Sequence, residues 1–507
     1  MPQYVLVNRR AGKFTPEAKH ASRAAVATTL MRLEGSVRVV HDKDPADDLA
    51  RRVVLLDADA AQVAKIRSTM PADAILEPAV RRSLHHHTPV EVKTSLPLSA
   101  ALTARTARAT ASSYRVTIKG GGKPLSGIDV MFYLQDRAGQ THTTDTTTNG
   151  LGQARINVPA GHQVLFVEPI PYAGFWIMIA EAPPSGSTID CAPIAKAGSS
   201  GTGWWHTVTG VSTSGGKRGA GIKVGVIDTG CGPHPNLAHV NLVGVFVDGQ
   251  TLSGSQAGDV AQHGSHTSGI IGARSTKSGE FAGMASACDL FHARVFKGEG
   301  ENDGPTQADL INAIDSLSRD NGCDLINMSL GGGPRSDAEE DAIRDAAQRG
   351  TVCICSAGNE AGPIDFPGAY PECISVSAIG MVGKAPVGTF SAGNRPKDPS
   401  QMGKNNLFLA VFSCFGDTLG CCAPGVGIVS TVPAKPGFPR PYMAMDGTSM
   451  ASPAACGVLA AILSQDTHYK SLPRDISRAN AARDLLNQHC KSIGLAVKFE
   501  GRGLPHV

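Results

Sequence analysis

After Trp204 the sequence alternates short strands with helical segments, and this pattern narrows the possible folds more than any other in the chain. The predicted strands and the helices between them follow one another at 222–227, 306–317, 323–328, 337–349 and 352–356. Parallel strands need crossover connections, which are usually helices. The apolar strand at 222–227 is typical of a parallel sheet covered on both faces. We therefore predict an α/β domain with a doubly wound, mostly parallel sheet over residues 204–507.

The first 203 residues carry other patterns, which predict two smaller domains and two linkers. Residues 1–84 follow the order strand, helix, strand, strand, helix, strand, which is typical of a ferredoxin-like α+β domain. Residues 113–182 contain short alternating strands and an Asn-Gly turn, which indicate a small β-sandwich. Segments 85–112 and 183–203 lack periodicity and are predicted to be linkers.

Composition and charge exclude several classes of function. The net charge is only +3 and the basic residues are scattered, so we expect no nucleic-acid binding. The longest apolar stretches are too short to span a membrane. The twelve cysteines lie mainly in apolar segments, which favours buried thiols over disulfides, and they form no metal-binding array. At the amino terminus the apolar residues precede the arginines, unlike in a secretory signal, so we expect a cytoplasmic protein.

Four polar residues lie at the ends of predicted strands and helices, where α/β sheets place their sites. Asp228 ends an apolar strand, and His263 lies in the glycine-punctuated start of an apolar helix. Asn359 follows a buried strand, where its amide can donate to a developing oxyanion. Ser449 lies at the amino end of another apolar helix, which favours negative charge near its hydroxyl. Each position alone is a weak indication, because such Asp and Asn residues also form ordinary turns.

The four motifs together resemble the subtilisin family of serine peptidases. Val-Ile-Asp-Thr-Gly, His-Gly-Ser-His, Ser-Ala-Gly-Asn and Gly-Thr-Ser-Met-Ala-Ser-Pro occur here in the order of that family. The resemblance implies a subtilisin-like fold and a serine endopeptidase with Ser449 as nucleophile, His263 as general base and Asp228 as its orienting residue. It also implies an oxyanion hole formed by Asn359 and the Ser449 N–H. No cofactor is required; family members often bind structural calcium, but no loop of this sequence indicates such a site.

Other segments resemble the substrate-binding elements of the same family. One resembles the edge strand that pairs with an extended peptide, and it consists of Ser329, Leu330, Gly331 and Gly332. By position, Asp365 is expected at the base of the pocket for the residue before the cut, with Glu360 near its rim. Two carboxylates in that pocket would favour Lys or Arg. The alternative is that both are solvated loop acids.

The amino-terminal half suggests how such a peptidase could be controlled. Residues 1–84 resemble the inhibitory propeptides of subtilisin-like peptidases, which predicts a self-processing zymogen; the alternative is a docking domain that never inhibits. Arg81-Arg82 and Lys196 would suit self-cleavage by an enzyme that prefers basic residues. The predicted β-sandwich resembles bacterial immunoglobulin-like and transthyretin-like repeats, which suggests a possible protein partner besides the peptide substrate.

Two other functions remain open at the level of sequence. One is a partner-binding scaffold with a vestigial subtilase domain, although a complete set of four motifs argues against a vestige. The other is a maturation protease or peptide ligase dedicated to one substrate. Cys231, three residues after Asp228, is either inert packing or a thiol that makes the enzyme sensitive to thiol reagents.

Overall fold

The computed structural model describes residues 1–9, 26, 28–29, 37–43, 50–72, 74–84, 111–197, 201–212, 217–298, 303–438 and 440–507. The first predicted helix and the linker at 85–112 therefore lie largely outside the described residues. Within the described part of the chain, none of the helices combines the length and the apolar character needed to cross a membrane.

The carboxyl-terminal domain is built on a nine-stranded sheet. Eight of its strands follow one another across the sheet as Gln250–Ser253, Asn241–Val247, Asp289–Arg294, Lys223–Asp228, Leu325–Met328, Val352–Ser356, Cys373–Met381 and Leu407–Leu409. The ninth, Cys421–Pro424, pairs in parallel with Cys373–Met381. Only Gln250–Ser253 and Leu407–Leu409 run antiparallel to their neighbours. This arrangement is the predicted doubly wound, mostly parallel sheet.

Helices cover both faces of this central sheet. Helices His263–Gly272 and Thr448–Gln465 share one apolar core with the strand residues Val224 and Val226. Helices Gln307–Asp315 and Asp337–Gln348 pack on the other face. The remaining helices of five or more residues in this domain are Trp204–Val208, Thr467–Ser471 and Ile476–His489, and a π-helical turn spans Ser316–Asp320. A hairpin of Ile428–Thr431 and Tyr442–Met445 completes the domain around the His263 helix.

The strand Lys223–Asp228 occupies the switch point of the sheet. The next strands in the chain, Asn241–Val247 and Asp289–Arg294, lie on one side of it. The later strands, which begin with Leu325–Met328, lie on the other side. The loops after these strands diverge, so a crevice opens at the carboxyl end of the strand between them. Asp228 is the last residue of that strand. The topology therefore places its carboxylate where such sheets bind ligands.

A four-stranded antiparallel sheet forms the amino-terminal region. Its strand order is Arg38–Lys43, Val53–Asp57, Gln3–Asn8 and Ala74–Pro78. Helix Ala60–Thr69 covers one face through Val63 and Ile66. The other face, which includes Val5 and Leu55, joins the core formed by helices Gln307–Asp315 and Asp337–Gln348. The alternation of side chains along these strands thus buries one face internally and the other against the peptidase domain.

Two further sheets pack face to face, and their strands come from the part of the chain between these two regions. One contains Gln153–Val158, Ser112–Gly120, Thr188–Cys191 and the short strand Lys123–Pro124; the other contains Ala180–Glu181, Gln163–Ile170, Asp129–Gln135 and Thr141–Thr147. Residues from both sheets, such as Ile118 and Phe132, share one core. The strand Thr188–Cys191 lies inside the segment predicted as a linker and pairs in parallel with Ser112–Gly120. Its four residues are too few for a recognisable alternation in the sequence.

Candidate active site

The carboxylate of Asp228 and the imidazole of His263 are in direct contact. The His263 Nδ1 lies 2.7 Å from Asp228 Oδ1, and both side chains are buried. The other carboxylate oxygen accepts the Thr267 hydroxyl at 3.0 Å, and Oδ1 also accepts the Thr229 N–H at 2.7 Å. Burial alone would raise the pKa of Asp228, but the charge and hydrogen bond of His263 hold it below its ordinary value. Asp228 is therefore an ionised acceptor that orients the imidazole.

Two other histidines near this pair have structural surroundings. His266 Nε2 lies 3.1 Å and 3.0 Å from the carbonyl oxygens of Ile428 and Met443, and burial lowers its pKa to about 3. His292 Nε2 accepts the Gly230 N–H at 3.1 Å, and burial lowers its pKa to about 4. Both are neutral near pH 7 and are engaged with the backbone. His266 thus supports packing between the helix and the hairpin.

Ser449 lies at the second position of helix Thr448–Gln465 and is fully buried. Its hydroxyl donates to the carbonyl of Ser329 at 3.1 Å, and the Ser329 hydroxyl donates to the Ser449 carbonyl at 2.8 Å. This reciprocal pair links the serine helix to the segment predicted to bind substrate. Backbone N–H groups in the first turn of a helix have no intrahelical partner, so the Ser449 N–H is available to an anionic group.

Asn359 is fixed beside the start of the same helix. Its Oδ1 accepts the Thr448 N–H at 3.0 Å and the Thr448 hydroxyl at 2.9 Å. That hydroxyl also accepts the Gly358 N–H at 3.1 Å. With the oxygen engaged in this way, the NH2 group of Asn359 is directed to the opposite side as a donor. Thr448 therefore holds the amide in its orientation. The motifs in the sequence did not indicate this role.

The segment predicted as a substrate-binding strand is paired with the end of the amino-terminal region. Leu330–Gly331, hereafter the edge strand, pairs antiparallel with Ser83–Leu84. Leu330 lies opposite Leu84 and Gly331 lies opposite Ser83. We call residues Arg81–Leu84 the tail. The tail thus adds a strand beside Leu330–Gly331, the kind of pairing by which an extended peptide can bind.

A second segment contacts the tail on its other side. The Arg82 N–H donates to the carbonyl of Pro305 at 3.0 Å, and Arg81 forms a β-bridge with Thr306. A Cβ atom on Gly304 would lie 1.9 Å from the Arg82 carbonyl oxygen, so only glycine permits this close approach. The tail is therefore held between two backbone segments, as a central strand would be.

Glu77 fixes the chain just before the tail. Its carboxylate accepts the Ser336 hydroxyl, the Asp337 N–H at 2.9 Å and the Ala338 N–H at 3.3 Å. These donors are at the amino terminus of helix Asp337–Gln348, where the helix dipole favours an anion. Ser336 caps this helix, and nothing local in the sequence indicates that a carboxylate 259 residues away completes the cap.

The two acidic residues predicted for the specificity pocket lie together beside Asn359. A Cβ atom on Gly358 would lie 2.6 Å from Asp365 Oδ2 and 3.0 Å from Glu360 Oε2. Gly358 has a φ of +119°, which also favours glycine. Cys414 completes the cluster, with its Sγ 3.5 Å from Glu360 Oε2. Glu360 is exposed and Asp365 is partly buried, so their placement is compatible with a rim and a base.

Two groups of side chains in the described part of the chain bring three potential metal ligands together. One is Glu360, Asp365 and Cys414, and the other is Asp136, His142 and His162 in the sandwich. Burial raises the pKa of the Cys414 thiol to about 12, so this sulfur is a poor ligand near neutral pH. The chemistry inferred from Asp228, His263 and Ser449 needs neither group to hold a metal.

All twelve cysteines fall within the described residues and all are free thiols. Cys231 is 6% exposed, and burial raises the pKa of its thiol to about 12. Only about one molecule in 10⁴ would carry the reactive thiolate at pH 8. We therefore expect Cys231→Ser to leave kcat and the response to a mercurial unchanged, as measured by residual peptidase activity. Inactivation of the wild type combined with resistance of the variant would contradict this.

Comparison with known proteins agrees with this geometry. Residues 219–490 match the model of the subtilase family. The chain is 31% identical over 298 residues to subtilisin DY of Bacillus licheniformis, a match that covers 58% of this chain and 91% of that protein. It is 30% identical over 300 residues to the major intracellular serine protease of Bacillus subtilis strain 168, covering 58% and 83% of the two chains. An intracellular serine protease of Paenibacillus polymyxa is 29% identical over 304 residues, covering 57% and 80%. The chain belongs to the subtilase family and is a subtilisin-like serine endopeptidase.

Proposed function

We propose that Ser449, His263 and Asp228 act as the catalytic triad of this endopeptidase. The contact between His263 Nδ1 and Asp228 at 2.7 Å carries the proposal, because it leaves the opposite ring nitrogen as the base. His263 takes the proton of the Ser449 hydroxyl as it attacks the substrate carbonyl, and later returns that proton to the leaving amine. Asp228 stabilises the imidazolium. The acyl-enzyme formed on Ser449 is then hydrolysed by water.

The oxyanion hole of this reaction consists of the Asn359 amide and the Ser449 N–H. The Thr448 contacts to Asn359 Oδ1 support this role, since they direct the amide donors away from the helix. Preorganised donors stabilise the tetrahedral intermediate without reorganisation at the moment of reaction. The edge strand aligns the substrate by antiparallel pairing, as it does with the tail.

A fluorophosphonate probe tests the triad. We expect the wild-type chain to be labelled and Ser449→Ala to remain unlabelled, because the probe reacts only with an activated serine hydroxyl. Gel fluorescence and the mass of the labelled peptide identify the modified residue. Ser452→Ala, on the same helix, is the matched control and should retain labelling. Absence of labelling in every wild-type preparation, processed or intact, would contradict the proposed function.

The enzyme is further proposed to prefer Lys or Arg before the cut. The crowding of Asp365 and Glu360 over Gly358, beside Asn359, supports this preference. Gly332, which directly follows the edge strand, donates its N–H to the Phe366 carbonyl at 3.0 Å, so the acidic segment adjoins that strand. A cationic side chain in this pocket would form an ion pair with these carboxylates, which an apolar side chain cannot do.

Asp365→Asn tests this preference. We expect kcat/KM for peptides with Arg before the cut to fall by about 10- to 100-fold, with little change for peptides with Leu, because only the cation loses its partner. Initial rates with peptides that differ at this one residue give the ratio. Asp417→Asn removes a charge from an exposed nearby loop and serves as the control. Equal cleavage after Leu and Arg by the wild type would contradict the preference.

Residues 1–84 are proposed to inhibit the enzyme until they are removed. The pairing of Ser83–Leu84 with the edge strand supports inhibition, because a substrate needs the same backbone groups. The Glu77 carboxylate at helix Asp337–Gln348 and the apolar contacts of the amino-terminal sheet stabilise this blocked state. The ferredoxin-like topology proposed for this region agrees with the strand order of its sheet.

A reducing compartment is proposed as the site of action. Burial raises the pKa of thiols throughout the peptidase domain, for example to about 12 for Cys288, so these cysteines act as small apolar side chains. Two of the relatives reported above are named as intracellular proteases. Reducing conditions keep such thiols free, which is compatible with a cytoplasmic enzyme.

A further inference from the structure

The side chain of Arg82 fills a buried pocket next to the edge strand. Its guanidinium forms an ion pair with Glu339, and both side chains are 0% exposed. The Arg82 Nε donates to the same carboxylate at 3.3 Å. Nη1 donates to the carbonyl oxygens of Gly332 and Pro334, the latter at 2.9 Å. The residues that receive Arg82 therefore directly follow the edge strand in the chain.

The pocket matches a guanidinium in both charge and shape. Burial alone would lower the pKa of Arg82, but Glu339 raises it above its ordinary value. The Tyr370 hydroxyl oxygen lies 2.8 Å from Glu339 Oε2 and 2.9 Å from the Ser336 carbonyl oxygen, and donation of its one proton to Glu339 orients the carboxylate. A planar fork of donors can satisfy a carboxylate and two carbonyls together, whereas a lysine has a single ammonium.

The register of the tail relates this pocket to the reacting serine. Leu84 lies opposite Leu330, and the residue before Leu330 is Ser329, whose carbonyl accepts the Ser449 hydroxyl. A substrate in the same register would place the residue before its cut opposite Ser329, since antiparallel partners advance one residue at a time. Arg82 then corresponds to the fourth residue before the cut. The tail also runs toward Ser449 in the direction a substrate would take.

We propose that this pocket is a specificity subsite that selects substrates with arginine at the fourth residue before the cut, with Glu339 as the determining residue. This inference rests on the proposed function, because a substrate can enter the pocket only after the tail has left it. The tail then acts as a substrate-like segment that uses the same arginine to hold the site closed. The preference is separate from that of the Asp365 pocket, which receives the residue before the cut.

The alternative role for Glu339 is only to anchor the amino-terminal region. Both roles predict that loss of Glu339 weakens the blocked state. They differ for a peptide that lacks the rest of residues 1–84. An anchor would leave the peptidase indifferent to the fourth residue, whereas a subsite makes the rate depend on it. The test therefore measures selectivity among peptides.

The test uses quenched fluorescent peptides with the sequence of residues 79–88, in which Arg81 is replaced by Ala so that only one arginine can enter the pocket. Position 82 carries Arg, Lys, Leu or Glu. The enzymes are the full-length wild type, Glu339→Gln and Glu340→Gln. Glu340 is the matched control, because it lies on the same helix but pairs with Arg335 and Arg344. Mass spectrometry of the products gives the bond that is cut, and initial rates give kcat/KM.

We expect the wild type and Glu340→Gln to favour the Arg peptide over the Leu peptide by about 10- to 100-fold, with Lys intermediate and Glu poorest. Glu339→Gln should reduce the ratio of kcat/KM for the Arg peptide to that for the Leu peptide to about one, whatever the absolute rates become once the tail is held less tightly. If no peptide is cut, each peptide is instead used as a competitor of the fluorophosphonate probe. The peptide concentrations that halve labelling then give the preference for Arg over Leu. If the enzyme is labelled and the Arg and Leu peptides compete equally, the subsite alone is overturned. If the wild type is labelled neither as the intact chain nor after removal of residues 1–84, the proposed function is overturned. A Glu339→Gln variant that is labelled normally but still prefers the Arg peptide would also overturn the role of Glu339.

Discussion

Replacing Asp228 by asparagine is expected to lower kcat for peptide hydrolysis by about 10⁴-fold. The carboxylate accepts the proton on His263 Nδ1 at 2.7 Å, which keeps the opposite nitrogen unprotonated and able to act as the base. An asparagine in the same position can present its NH2 group to His263 Nδ1. This favours the tautomer in which the proton is on the opposite nitrogen, which then cannot act as the base. It also removes the negative charge that stabilises the imidazolium. Single-turnover and steady-state rates with one quenched peptide measure the loss.

Asp259→Asn is the matched control for this substitution. Asp259 accepts the Thr229 hydroxyl at 2.8 Å and the Ser265 N–H at 2.8 Å, close to Asp228 in the fold. We expect it to retain kcat within about 10-fold, because it contributes only to the support of the loop. KM should change little in Asp228→Asn, since the edge strand and pockets are intact. A kcat for Asp228→Asn within 10-fold of the wild type would contradict the proposed role of Asp228.

Arg51→Ala is expected to weaken the attachment of the amino-terminal region by about 3–5 kcal/mol. The Arg51 side chain is 0% exposed and forms ion pairs at 2.7 Å with both Asp315 and Asp341, while Asp345 lies 3.8 Å away. Its loss leaves several carboxylates buried at the interface without a cation. Burial opposes the charge of Arg51, but these acids raise its pKa above the ordinary value. The blocked state should therefore open about 10²- to 10⁴-fold more often.

Amide hydrogen exchange of the full-length chain measures this opening, with Ser449→Ala present to prevent self-cleavage. Exchange should accelerate in strand Val53–Asp57 and in the tail. Arg38→Ala provides the comparison, because Arg38 is 78% exposed and pairs with Asp57 at 3.4 Å on the same sheet. An exposed pair of this kind contributes at most about 1 kcal/mol. Equal exchange in Arg51→Ala and Arg38→Ala would show that the buried ion pairs do not hold the region in place.

The contacts of the tail suggest an order for activation. In residues 1–84, Glu77, Arg82 and Arg51 each place a charge against helix Gln307–Asp315 or helix Asp337–Gln348. A cut after the tail would leave these contacts intact, so release of residues 1–84 would be a second, slower step. The arginine subsite then becomes available last. Inhibition and substrate selection would use the same carboxylate, Glu339.

The sequence by itself determined the sheet of the peptidase domain and predicted which residues react. Both depend on short-range signals: apolar strands alternate with helices, and each motif lies within a few residues of Asp228, His263, Asn359 or Ser449. The tertiary structure alone decided how the tail meets the edge strand and that Arg82 pairs with Glu339, 257 residues later in the chain. No local pattern encodes such pairs, because a buried charge is tolerated only where folding brings its partner, and that partner can come from anywhere in the chain.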